Sequence, residues 1–196
     1  MLFRSYQAVE HGERWAGYLM WVGLAGGLMA KGPVALVLCG LACGSWVIWT
    51  GCWAAFFRRA RLIIGPILML ALALPWYLLA EQKTPGFLEY FIVGEHFSRY
   101  LESEWAGDPY GAVKDMPFAI IWAMLLASGL PWTLVLLWQL ATEPRRQRLI
   151  ERWQTHDSRL MKYLLCWVLL PLMFFTPARN VIITYTLPAL RSEEHT

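Results

Sequence analysis

The chain has 196 residues, of which 58% are hydrophobic and only 16% charged, with a formal net charge of +3 and a mean hydropathy of +0.42. A soluble domain averages about 25% charged residues, and a chain this short cannot bury so much apolar surface in one core. Those values exclude an ordinary water-soluble enzyme and predict an all-α, polytopic membrane protein.

Residues 1–14 are polar and carry no secretory signal. Apolar stretches then follow at residues 15–30, 34–53, 62–80, 117–140 and 163–176, and a sixth starts at Val181. A spanning helix needs about 20 residues, so the second, third and fourth stretches are long enough, while the first and fifth are short. About five to six membrane helices are expected. Pro66, Pro75, Pro131 and Pro171 lie inside these stretches, as membrane helices allow when neighbours satisfy the freed carbonyls. Trp15, Trp53, Trp76 and Trp132 fall near stretch ends, where an interfacial belt forms. Cys39, Cys43, Cys52 and Cys166 sit in or beside apolar runs without His or Asp neighbours, and read as small buried hydrophobes.

Sidedness follows from the basic residues. Arg58, Arg59 and Arg61 separate the second and third stretches, and a second basic group occupies residues 145–162. Both connections are therefore cytoplasmic, including the loop at 141–162. The connection at 81–116 carries Lys83, Arg99 and Lys114 against a larger number of acidic residues, and is external. Alternation then puts residues 1–14 inside, and places Lys31-Gly32-Pro33 and Pro177-Ala178-Arg179-Asn180 outside. Lys31, the external loop and Arg179 thus share one membrane face.

Each of these cations has two readings. A lone Lys31 or Arg179 at a helix end is an interfacial anchor, or it is a ligand for a lipid phosphate. Within the external loop, residues 86–102 predict an amphipathic α-helix with Phe87, Phe91, Gly94, Phe97 or Ser98, and Leu101 on its apolar face. Glu95, His96 and Arg99 fall on another face at i,i+3 and i,i+4 spacings, as a solvated ion pair or as an anion-binding cluster. Asp108-Pro109-Tyr110-Gly111 and Lys114-Asp115 are turn chemistry before they are a catalytic base. Three external cations favour an anionic headgroup as ligand, with Tyr185 one to two turns beyond Arg179. No nucleotide-binding loop is present, and the basic 145–162 segment reads as a lipid-contacting face with no nucleic-acid partner. No cofactor or metal motif is identified, and a divalent metal is left open.

Several motifs, in order, carry a family resemblance. Met29-Ala30-Lys31-Gly32-Pro33-Val34-Ala35-Leu36, Leu74-Pro75-Trp76-Tyr77 and Phe91-Ile92-Val93-Gly94-Glu95-His96-Phe97-Ser98-Arg99-Tyr100 are followed by Gly107-Asp108-Pro109-Tyr110-Gly111. Leu130-Pro131-Trp132, Pro171-Leu172-Met173-Phe174-Phe175 and Ala178-Arg179-Asn180 complete the series. The chain resembles bacterial lipid-linked-sugar glycosyltransferases related to 4-amino-4-deoxy-L-arabinose lipid A transferase and to the protein mannosyltransferases. That resemblance implies a GT-C-type helix bundle in the bacterial inner membrane, with its active face periplasmic. It also implies a polyprenyl-phosphate-linked sugar donor and transfer to lipid A, another envelope glycan or protein. Lys31, Arg99 and Arg179 would bind phosphate, Tyr185 would line the cavity, and Glu95 and His96 would shape it. Arg179 stands where relatives usually carry Lys, which keeps the charge and changes its geometry. The family's acidic catalytic residues lie on loops upstream of these motifs, so the catalytic residues are unknown here and this piece alone is expected to be inactive. An anionic-lipid transporter or flippase, or a non-catalytic subunit, is the alternative, and a transporter would show inverted repeats or discontinuous helices. Residues 1–190 read as a partial transferase domain. Residues 191–196, which interrupt an apolar run, match one reading frame of a common sequencing adapter and are expected to be foreign to the protein.

Overall fold

The structure is a computed structural model that describes residues 2–98, 117–144, 146–147, 150–151 and 158–178. Its order is α1 (Leu2–Glu10), α2 (Arg14–Lys31), α3 (Val34–Thr50), α4 (Trp53–Arg59), α5 (Ile64–Lys83) and a π-helix (Glu89–Ser98). Then come α6 (Ile120–Ser128), α7 (Trp132–Ala141) and α8 (Ser158–Phe175). No strand occurs among the described residues.

Glycine and proline punctuate the first hairpin. Gly32 adopts φ +66° after Lys31, and its N–H returns to the Leu28 carbonyl at 2.8 Å. Pro33 then opens α3, where a missing N–H costs nothing. The second apolar stretch ends earlier than residue 53, because Gly51 takes a left-handed conformation after Thr50. Trp53 instead begins the short α4.

Two helix pairs form the body: α3 against α8, and α2 against α5. Ala42, Cys43, Trp46 and Val47 of α3 meet Tyr163, Cys166 and Trp167 of α8, and α1 closes that cluster with Tyr6 and Val9. All four cysteines are free thiols, as the hydrophobe reading requires. In the second pair Met20, Leu24, Ala25 and Leu28 pack on Met69, Ala73 and Tyr77. Small residues at both seams (Ala25, Ala42, Ala73) let the helices approach closely. The outward residues are apolar as well: Leu78 and Leu79 on α5 are 57% and 58% exposed. That distribution belongs to a lipid-facing bundle, and the protein is a membrane protein.

Among the described residues two helices are long and apolar enough to span a bilayer, Ile64–Lys83 and Ser158–Phe175. The fifth stretch, read as short, thus starts earlier and becomes a full span. The second is a 17-residue apolar helix, about 26 Å long against a hydrocarbon core of about 30 Å. The fourth stretch is not one straight helix. It bends by 100° between α6 and α7, where Gly129-Leu130-Pro131 interrupts the ladder. Ser128 Oγ donates to the Met124 carbonyl at 2.7 Å and Thr133 Oγ1 to the Leu126 carbonyl at 2.9 Å, so the freed acceptors are used. Pro75 and Pro171 remain inside α5 and α8, so proline alone does not decide a break.

Between α2 and α5 the indole N–H of Trp21 donates to the Ala60 carbonyl at 2.6 Å, and Gly65 lies directly against that ring. A Cβ at position 65 would overlap the indole nitrogen. Gly65→Ala is expected to destabilise the folded protein by about 1–3 kcal/mol. Gly40→Ala, where a Cβ meets nothing within 4 Å, should be neutral or stabilising by up to about 1 kcal/mol. Thermal unfolding of both variants in the same detergent checks the pair, and equal midpoints would refute the packing assignment.

Candidate functional site

The site is built at the end of the bundle where α2 stops, α5 ends and the segment leading to the π-helix begins. Glu81, in the last turn of α5, accepts hydrogen bonds from the Gly86 N–H (2.9 Å) and the Leu88 N–H (2.8 Å). One carboxylate thereby fixes the turn that launches the π-helix. Trp76 and Tyr77 receive that helix: Phe87 and Phe91 stack at 5.3 Å, and Trp76 meets both edge-on at 5.6 and 6.3 Å. Tyr77 also donates to the Leu28 carbonyl at 2.7 Å. The same carbonyl caps Gly32, so the C-terminus of α2 is held from two directions.

The helix after α5 differs from the one the sequence predicts. Over Glu89–Ser98 it is wound as a π-helix, so residues five apart share a face. Tyr90 donates to the Glu95 carboxylate at 2.8 Å, and His96 Nδ1 lies 2.7 Å from the Phe91 carbonyl. The 3.6-residue repeat put Phe91 and His96 on different faces; the wider turn puts them on one. The expected meeting of Glu95 and His96 with Arg99 lies outside the described residues, as do Arg179 and Tyr185.

His96 completes the junction. Its Nε2 lies 2.7 Å from the carbonyl of Lys31, and its ring faces Phe91 edge-on at 5.5 Å. Both ring nitrogens face carbonyl oxygens. A neutral imidazole carries one N–H and donates to one of them; an imidazolium donates to both. The ring rests on Gly32, where a Cβ would lie 2.5 Å from Nε2 and 3.1 Å from the Phe91 ring. Of the candidate ligands, His96 is brought against the Lys31-Gly32 turn, while Glu95 is paired with Tyr90. The Lys31 side chain is exposed. Among the described residues no acidic side chain pairs with that ammonium, and no group of three or more His, Cys, Asp or Glu could hold a metal ion.

The opposite end of the bundle is basic. Arg59 donates to the Val9 carbonyl at 2.5 Å, and Arg159 makes a two-pronged bond to the Glu10 carboxylate, 3.0 Å to each oxygen. The arginines that the charge pattern placed on one side thus meet at one end through α1, away from Lys31.

Sequence reasoning did not single out Glu81, Tyr90 or the double role of Tyr77. Leu74-Pro75-Trp76-Tyr77 was legible as a motif, whereas Tyr90 and Glu95 are paired only by a winding that leaves no periodic trace. Gly32→Ala is expected to break the junction, since it adds both left-handed strain and a clash with His96. Limited proteolysis of the external segment should accelerate in that variant while α3–α8 packing persists. An unchanged cleavage rate would contradict the assigned contact.

No family model matches the chain. It is 34% identical over 189 residues to an undecaprenyl phosphate-alpha-4-amino-4-deoxy-L-arabinose arabinosyl transferase of Erwinia tasmaniensis, covering 93% of this chain and 30% of that protein. A second such transferase, from Pseudomonas fluorescens, is 31% identical over 194 residues, covering 96% of this chain and 31% of that one. In structure the chain is similar to ArnT from Cupriavidus metallidurans, solved bound to undecaprenyl phosphate. The TM-score is 0.71 at 21% identity, covering 90% of this chain and 29% of that one. The fold is accordingly a GT-C-type membrane helix bundle. The chain spans about 30% of the length of these curated relatives and over that length is similar to the undecaprenyl phosphate–aminoarabinose arabinosyl transferases.

Proposed function

We propose that this chain forms the donor-phosphate-binding portion of an inner-membrane glycosyltransferase. The enzyme would move 4-amino-4-deoxy-L-arabinose from undecaprenyl phosphate to lipid A at the periplasmic face. The observation that supports this reading best is the junction of Lys31 with the external helix through His96, 2.7 Å from the Lys31 carbonyl. It sets an exposed ammonium beside an aromatic platform, at the end of the bundle remote from the basic α1 contacts. A polyprenyl phosphate presents an anionic head and an apolar tail to such a place.

In the reaction an acceptor oxygen bonds to the sugar's anomeric carbon as the bond from that carbon to the donor phosphate oxygen breaks. Charge develops on the departing phosphate, and cations fixed before reaction stabilise it without reorganisation. Lys31, with Arg99 and Arg179, is assigned that role. Glu95 and His96 hold the external helix, and Tyr185 lines the same cavity. The proton released by the acceptor goes to a carboxylate that the family resemblance places upstream of these motifs.

A transporter or flippase of the same anionic lipid shares the binding half of this reading. The 100° break between α6 and α7 is the kind of discontinuity a transporter uses. Its residues, Ser128-Gly129-Leu130-Pro131, carry no charge to hold an ion, which favours the transferase.

The test is binding of undecaprenyl phosphate to the purified chain, read by native mass spectrometry. Lys31→Ala is expected to weaken binding about 10- to 100-fold, the loss of one charge-assisted contact worth about 1.5–3 kcal/mol. Arg99→Ala should weaken it comparably. Wild-type binding in both variants would sink their assignment as phosphate ligands.

A further inference from the structure

At the basic end two arginines are consumed by the fold and two are not. Arg59 and Arg159 are engaged by α1 through the Val9 carbonyl and the Glu10 carboxylate. Arg58, in the last turn of α4, and Arg61, in the α4–α5 connection, have no carboxylate partner among the described residues. Arg61 takes a left-handed backbone conformation, φ 53°, that a side chain rarely adopts. That conformation carries its guanidinium to 5.4 Å over the ring of Tyr18 on α2.

What surrounds these two cations is apolar and uncovered. Trp15 lies 6.3 Å from Tyr18 and is 79% exposed, and Ile63 is 81% exposed. On α4, Trp53 and Phe57 stack at 6.2 Å with both rings outward, beside the exposed Arg58. Water is a poor solvent for this frame, and lipid chains are a poor solvent for guanidinium. Both are satisfied at the level of the phospholipid phosphates, with rings and branched side chains among the upper acyl carbons.

We infer that Arg61, braced on Tyr18 beside Trp15, forms with Arg58 a binding site for the phosphate of an acidic phospholipid. Guanidinium suits a phosphodiester because its planar fork donates to two oxygens at once. Two cations without a carboxylate partner among the described residues match a headgroup of net negative charge. The site lies at the other end of the bundle from Lys31 and does not depend on the transferase reading.

The experiment reconstitutes the chain in nanodiscs of phosphatidylcholine with increasing phosphatidylglycerol and counts bound phosphatidylglycerol by native mass spectrometry. Arg61→Gly removes the charge while suiting the left-handed backbone, so its fold should survive; an unchanged thermal midpoint in pure phosphatidylcholine checks this. Each of Arg58→Ala and Arg61→Gly is expected to lower phosphatidylglycerol affinity about 5-fold. Arg146→Ala, whose guanidinium pairs with Glu143, should leave it unchanged. Full retention in the Arg58→Ala/Arg61→Gly double variant would overturn the assignment, as would an equal loss in Arg146→Ala. Protection by soluble glycerol phosphate equal to that by phosphatidylglycerol would overturn the lipid as ligand.

Discussion

Carbonyl oxygens at helix ends, left without an intrahelical N–H, are the constraint on which this bundle turns. In a lipid-facing protein such an oxygen has little water to bond, and leaving it bare costs several kcal/mol in hydrocarbon by order of magnitude. Here donors on other helices supply the bond. Trp21 donates to Ala60 and Arg59 to Val9, and His96 Nε2 lies 2.7 Å from the Lys31 carbonyl. Each pairing spans many residues of sequence, so satisfying a local backbone group also fixes a tertiary contact. Trp46, whose indole N–H reaches the Arg159 carbonyl at 3.0 Å, adds a further bond between α3 and α8 at a carbonyl in the first turn of α8.

The proposed phosphate site is a consequence of that rule. The turn at Lys31 needs Gly32 for its positive φ, and the bare glycine leaves room for the His96 ring. His96 can reach the Lys31 carbonyl because the π-winding stacks it over Phe91, which in turn is packed by Trp76 and Tyr77. An exposed ammonium thereby gains a firm base: its backbone is held, while its side chain stays available to a ligand. At the other end Arg59 and Arg159 tie down α1, while Arg58 and Arg61 have no carboxylate partner among the described residues.

Much of this was legible in the residues. Composition gave the membrane class, and the charge of two connections anticipated that Arg59 and Arg159 would meet at one end. Turn chemistry at Lys31-Gly32-Pro33 was equally plain, as was the order of motifs that carries the family resemblance. The bend in the fourth stretch was harder. Gly129 and Pro131 together break a helix that Pro75 and Pro171 leave whole, and the difference lies in whether neighbouring Ser and Thr hydroxyls take up the freed carbonyls in a bent or a straight path. The π-winding was not legible at all, because its pairings at i,i+5 are favoured only when Phe87 and Phe91 are already seated against Trp76.

By itself the sequence determined the membrane class, the helical content, the sorting of basic from acidic connections and the identity of the candidate cations. Those properties follow from transfer free energies and local backbone preferences, which each residue carries with it. The tertiary structure decided which carbonyls His96 faces, which face Glu95 occupies and where the fourth stretch bends. The first depends on two groups 65 residues apart that only packing brings within hydrogen-bonding distance, and the others on local windings and bends that hydrophobic periodicity does not specify.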